Sequence, residues 1–223
     1  MVVHKPKKRR TSPRIVQKRE RSRREILETA ESLLREGGVD AVTLGSVAGQ
    51  LALTKQALYH YFPSKEALIK SLVVKLLDDE IEALITAVER EKSDARVLGA
   101  LIRAFYTHYI NHLHAFRVVY CASQLYPATS GIIDKDMLRD EINPRTRSLF
   151  ALLEDRLSRP SMNRTARAKQ RRLAYSAWLA ALGLITMLAA ADAANDPLIH
   201  SDKDLLHALA GIFDAQTRNS GQA

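Results

Sequence analysis

Apolar residues recur every three or four positions along almost the whole chain, the spacing of one buried helix face. Ile26, Ala30, Leu33 and Leu34 begin the pattern in a helix from about Arg23, and Gly37-Gly38 is suited to stop it. Leu44, Val47, Ala48 and Leu51 predict a short helix over 43–51, with Thr43 as its N-cap. After a tight break at Ala52-Leu53, Thr54 can cap a third helix over 55–61, which Pro63 ends. Ser64 then opens a long helix to about Glu91, where Leu68, Leu72, Leu76, Ile81, Leu84 and Val88 keep the period. Further helices are expected near 95–114, over 116–126 up to Pro127, over 132–158 with an interruption at Asn143-Pro144, over 164–193 and over 203–216. The last is expected to turn Leu205, Leu206, Leu209, Ile212 and Phe213 inward, and residues 218–223 to fray. Sustained period-two alternation is missing, so the expected fold is all-α.

Charge changes the picture at one end only. Residues 1–24 hold eleven Lys or Arg against Glu20 alone, a net +10 where the whole chain has +9, so the remainder sums to −1. The basicity is an N-terminal arm, residues 1–22, on a nearly neutral body, and such an arm suits a polyanion such as nucleic acid. A solvated tail is the alternative reading. Cys121 is the only cysteine, which excludes an internal disulfide and fits a reducing, cytoplasmic setting. The basic N-terminus has no apolar stretch behind it, unlike a secretory signal. Segment 173–191 is uncharged over 19 residues, enough to span a bilayer, but seven are alanine. Alanine gains little from lipid, so a buried helix is expected there and no membrane.

The two short helices over 43–51 and 55–61 form a helix-turn-helix pattern, whose second member would enter the DNA major groove. Tyr59, His60, Tyr61 and Phe62 crowd four ring-bearing side chains into consecutive positions. Leu58 and Phe62, four apart, can face inward while the three between them fan outward. Tyrosine hydroxyls can then meet phosphates, and Lys55 and Gln56 can reach base edges.

The stretch TLGSVAGQLALTKQALYHYFPSKEAL (43–68) resembles the DNA-binding signature of the TetR family of bacterial transcriptional regulators. Thr43, Val47-Ala48, Thr54, Leu58-Tyr59, Tyr61-Phe62 and Lys65 occupy the positions of that pattern, and the likeness covers Arg23 to Leu68. It implies a DNA-binding domain over 23–70 and an effector-binding, dimerising helical domain over 71–217. It implies phosphate contacts from Thr43, Tyr59, Tyr61 and Lys65, with Thr54 at the helix start. Lys55, Gln56, Ala57 and His60 would face bases, Ala57 against a thymine methyl. One departure is Leu51-Ala52 where the family carries Ala-Gly, which strains Ala52 if a positive φ is needed there. Segment 43–66 sums to only +1, so the arm is expected to supply phosphate attraction, its arginines entering an adjacent minor groove.

The effector pocket is expected among Phe105, Tyr106, Tyr109, Phe116, Tyr120, Gln124 and Trp178, a lining suited to an apolar or aromatic, largely uncharged small molecule. Each of these is also an ordinary core residue type. The last two long helices are expected to form a four-helix dimer interface through Ala177, Ala181, Leu205 and Leu209. His108 and His112 share a helix face at zinc-compatible spacing, but no acidic residue lies in that segment, and a metal-binding protein is the weaker alternative. A nucleophile elbow, a P-loop and a glycine-rich nucleotide loop are all missing, so neither enzyme activity nor a cofactor is expected. The reading is a homodimeric repressor released from a pseudo-palindromic double-stranded DNA operator by a small molecule. An activator or ligand-requiring regulator of the same fold is the alternative.

Overall fold

The computed structural model describes residues 12–121 and 133–220. The expected helix end at Pro127, Gln124, residues 1–11 of the arm and the last three residues lie outside it. All regular structure among the described residues is helical: α1 (Pro13–Ala41), α2 (Leu44–Gln50), α3 (Lys55–Tyr59), α4 (Lys65–Arg90), α5 (Val97–Tyr109), α6 (Leu113–Phe116), α7 (Lys135–Met137), α8 (Asn143–Leu157), α9 (Arg164–Ala194) and α10 (Asp202–Ser220). The chain divides into two compact units, Met1–Leu72 and Val73–Ala223, with the boundary inside α4.

In the first unit α1 buries Ile26, Ala30 and Leu34, and the neighbouring segments bury Val42, Val47, Leu58, Phe62, Leu68 and Leu72. Helical geometry fails at Gly37 and at Gly38, whose φ of 70° belongs to the left-handed region that glycine enters without steric cost. One last turn follows to Ala41. Residues 13–22, expected as part of an arm outside the helical domain, are instead the opening turns of α1. Pro13 stands at the helix start, where its fixed φ suits the helix and its missing N–H costs nothing, and no breaker follows before Gly37.

In the second unit α5 is the central element. Val97, Leu98, Leu101, Ile102, Phe105 and Tyr109 on it are buried, and it packs on both α9 and α10. At one crossing the Gly99 N–H donates to Asp214 Oδ1 of α10 at 2.9 Å, and a Cβ on residue 99 would lie 2.4 Å from that oxygen. The helix expected over 95–114 breaks at residues 110–112, then resumes as α6 and a π-helical turn, Arg117–Cys121. In one straight helix Tyr109 and Phe116 would stand two turns, about 10.5 Å, apart. The break folds their rings to 5.3 Å. Asn143-Pro144 does not interrupt the chain as expected. A π-helical stretch, Leu138–Ile142, leads into α8, so Pro144 falls in a first turn, where it is tolerated.

Helix α9 is long and apolar enough to cross a bilayer by length and composition. It packs against α5 and α8 and buries Ala174, Ala177, Ala181 and Ile185. This corrects the expected dimer interface: Ala177 and Ala181 are 0% and 1% exposed inside their own unit. Small side chains do allow close helix approach, but the partners are α5 and α8. The outward face of α9 presents Tyr175, Leu179 and Met187, and α10 presents Ile212, 64% exposed rather than inward. Leu205 and Leu209 are half-buried.

Candidate nucleic-acid interface

The turn between α2 and α3 is set by two caps and one strained residue. Thr43 Oγ1 accepts from the Ser46 N–H at 3.0 Å, and Thr54 Oγ1 accepts from the Ala57 N–H at 3.1 Å. Thr43 Oγ1 also lies 2.7 Å from Ser46 Oγ, whereas the Thr54 hydroxyl keeps its own proton for an outside acceptor such as a phosphate oxygen. Between them Ala52 takes φ 51°, the left-handed conformation its position demands although it carries a Cβ.

Helix α3 is pinned from below by Leu58 and Phe62, 0% and 1% exposed. That leaves Lys55, Gln56, Tyr59 and His60 exposed around its outer face, with Thr54 exposed at its start. Ala57, Tyr61, Lys65 and Thr43 are half-buried. The crowded aromatic run is thus divided between core and surface by helical geometry, although Tyr61 is less open than Tyr59. The helix is shorter than expected, ending at Tyr59 and leaving His60 and Tyr61 in a turn.

Arg23 does a job that counting charges could not show. Its guanidinium lies 4.5 Å from the centroid of the Phe62 ring, donates to Ser71 Oγ at 2.8 Å and reaches the Tyr61 carbonyl at 3.4 Å. It ties α1 to the segment after α3 and to the first turns of α4, so it fixes these three elements against one another. Its charge makes it look like one more arm residue. The signal for its role is its place three residues before Ile26, opposite an aromatic.

The second unit holds a different cluster. Phe105, Tyr109, Phe116, Tyr120 and Trp178 come together, with neighbouring ring centroids 5.1 to 6.3 Å apart. At its centre is Glu80 of α4, only 1% exposed. The Tyr109 hydroxyl donates to it, and the Tyr120 hydroxyl lies 2.8 Å from both of its oxygens. Burial pushes the Glu80 carboxyl up to about 7, and the two hydroxyls only partly offset this. Both phenols are raised well above their usual value by the same burial and by the carboxyl itself. Sequence periodicity missed Glu80 because it reads as one more acid beside Asp78 and Asp79. Tyr106 leaves the group and donates to Asp202 of α10. Gln124 is outside the described residues.

His108 and His112 no longer share a helix face, since α5 ends between them and His112 adopts φ −139°. His108 packs edge-on to Tyr109, and no group of three metal-ligating side chains occurs among the described residues. Two separated histidines do not fit a zinc site.

Residues 26–72 match the family described as bacterial regulatory proteins, tetR family. The nucleoid occlusion factor SlmA of Shewanella denitrificans is 26% identical over 165 residues, 72% of this chain and 73% of that protein. The HTH-type transcriptional repressor KstR2 of Rhodococcus jostii is 30% identical over 84 residues, covering 38% of this chain and 41% of its own. Among solved structures, a TetR/AcrR-family transcriptional regulator from Thermobifida fusca superposes with a TM-score of 0.64 at 18% identity, over 86% of this chain and 96% of that one.

Proposed function

As this chain belongs to the TetR family of bacterial regulatory proteins and is a DNA-binding transcriptional regulator, we propose that it works as a homodimeric cytoplasmic repressor released from its operator by a small molecule. The observation that carries this reading is the division of α3: Leu58 and Phe62 buried beneath, Lys55, Gln56, Tyr59 and His60 free above. In the major groove Gln56 suits the two hydrogen bonds of adenine, and Lys55 suits guanine. Tyr59, Tyr61, Lys65, Thr43 and Thr54 meet the flanking phosphates, and Ala57 and His60 lie toward the bases. Two such heads read a pseudo-palindrome with half-sites about one helical turn, ~34–36 Å, apart.

The dimer forms through the outward faces of α9 and α10, where Leu179 and Ile212 are 55% and 64% exposed. Half-buried Leu205 and Leu209 complete that face. The effector binds at the aromatic cluster, whose rings suit an aromatic or apolar body and whose Glu80 supplies the polar group that fixes orientation. Glu80 lies on the same continuous helix as Lys65, so a ligand that favours one position of α4 shifts the population of DNA-competent dimers. A second reading, a role in nucleoid occlusion in place of effector-released repression, is favoured by the nucleoid occlusion factor SlmA, whose similarity runs over 72% of this chain.

The test is binding to duplex DNA from upstream of the protein's own gene and to a scrambled duplex, across a salt series, followed by a screen for small molecules that dissociate the complex. A preference of about a thousandfold is expected for the true operator. Gln56→Ala should change the order of preference among sequence variants, and Tyr59→Phe should weaken all of them alike. Failure to find release by any compound, with specific binding intact, would favour the second reading.

A further inference from the structure

Residues 12–21 are all exposed, and so are Arg24 and Glu25. Yet residues 13–22 are continuous helix with the rest of α1, a projection of about 15 Å at 1.5 Å per residue. Over 13–24 the basic side chains are Arg14, Lys18, Arg19, Arg21, Arg23 and Arg24, against Glu20 alone. Arg14, Lys18 and Arg21 stand at i, i+4 and i+7 and share one flank. Arg21 lies 3.1 Å from Glu25, but at 83% exposure that pair holds it weakly. Like charges four apart weaken a helix, and basic groups in a first turn oppose its dipole. This projection is therefore built against its own local stability, and none of its side chains is buried in return.

Its root places it. Arg23, where the projection begins, contacts Phe62, Tyr61 and Ser71 at the end of the recognition segment. The basic helix thus leaves the body beside Tyr61 and Phe62, in the same segment as Tyr59 and Lys65, whose side chains are assigned to phosphates. Those side chains belong to a segment of net charge only +1. A helix is ~10–12 Å across, whereas the minor groove of B-DNA is ~6 Å wide, so the backbone of this helical part of the chain stays outside that groove in undistorted DNA.

We infer that residues 13–22 are a rigid basic spur that lies along the phosphodiester backbone of duplex DNA flanking each half-site, adding affinity without adding sequence preference. The inference rests on the DNA-binding reading above. The duplex neutralises the like charges that weaken the spur, and the spur lengthens the protected DNA beyond the reach of α3. Ile15 and Val16, 59% and 47% exposed, are then shielded by the sugar-phosphate edge.

The test uses the full chain and two variants. Arg14→Ala with Lys18→Ala, Arg19→Ala and Arg21→Ala removes the spur's charge. Glu20→Pro breaks its helix while keeping every basic group. All the altered side chains are exposed, and unchanged thermal unfolding checks the fold. For the fourfold variant, affinity for operator and scrambled duplex should fall by the same factor, on the order of tenfold or more. The salt slope should flatten by about 0.9 for each phosphate that the variant leaves un-neutralised. Hydroxyl-radical protection should shorten at the outer flanks in both variants. An unchanged slope and footprint in the fourfold variant would overturn the inference. A lost preference between duplexes would overturn it too, since the spur would then read bases. A full-length footprint in Glu20→Pro would show that charge alone acts and the rigid helix does not. The scrambled duplex reports on the spur even if no operator preference is found, so failure of the spur and failure of the specific-regulator reading give different results.

Discussion

Replacing Glu80 by glutamine should change how the protein's stability depends on pH. The carboxyl is 1% exposed and held by two tyrosine hydroxyls, with no cationic hydrogen-bond partner among the described residues. Its folded value is pushed up to about 7, against 4.5 for the free group. Between those values the folded protein holds a proton that the unfolded chain has released. The raised value therefore leaves stability intact at pH below 4.5 and erodes it as pH rises toward 7, after which the loss levels off. At 1.36 kcal/mol per pH unit, the full loss is about 3 kcal/mol, and about 2–3 kcal/mol of it falls between pH 5 and pH 8. Glutamine cannot ionise, so Glu80→Gln should lack this component while every other titrating group contributes equally to both proteins. Urea unfolding followed by fluorescence of Trp178, the only tryptophan and 6.3 Å from the Tyr120 ring, would measure the difference at fixed protein concentration. The gap in unfolding free energy between variant and parent should widen by about 2–3 kcal/mol from pH 5 to pH 8. Parallel profiles would refute the reasoning, because they would mean that Glu80 ionises as easily in the folded state as in the unfolded chain.

Gly99→Ala should destabilise the second unit by about 2–3 kcal/mol, seen as a lower urea midpoint, because the new methyl displaces the buried Asp214 carboxylate from its N–H donor. Ala52→Gly should raise the stability of the recognition unit by about 0.5–1 kcal/mol, since φ 51° costs alanine more than glycine's extra freedom in the unfolded chain costs the variant. A rise in thermal midpoint without loss of DNA binding is the expected result. Leu179→Glu combined with Ile212→Glu should leave helicity unchanged and shift sedimentation from dimer to monomer, with loss of tight operator binding.

Much of this protein was legible along the chain because its helices are amphipathic and capped. Thr43 and Thr54 were identifiable as caps, and Leu58 with Phe62 as the buried pair beneath an exposed face, from spacing alone. These are local properties: a cap needs a hydroxyl three residues before an amide, and a face needs only the helical period. The strain at Ala52 was likewise foreseeable, since a tight turn demands a backbone angle wherever it occurs.

Tertiary structure decided the rest, and each case turns on a choice among partners that periodicity leaves equal. Ala177 and Ala181 do mark close helix packing, but small size says nothing about whether the neighbour is in the same subunit; packing on α5 and α8 buries them there and turns Leu179 outward. The break after Tyr109 follows from bringing Phe116 back against it, and so separates His108 from His112. Glu80 and Arg23 are ordinary charged residues until the fold sets one among five aromatic rings and the other against Phe62. Charge and periodicity are written residue by residue, whereas a side chain's partner across space is chosen only when separate elements close into one core.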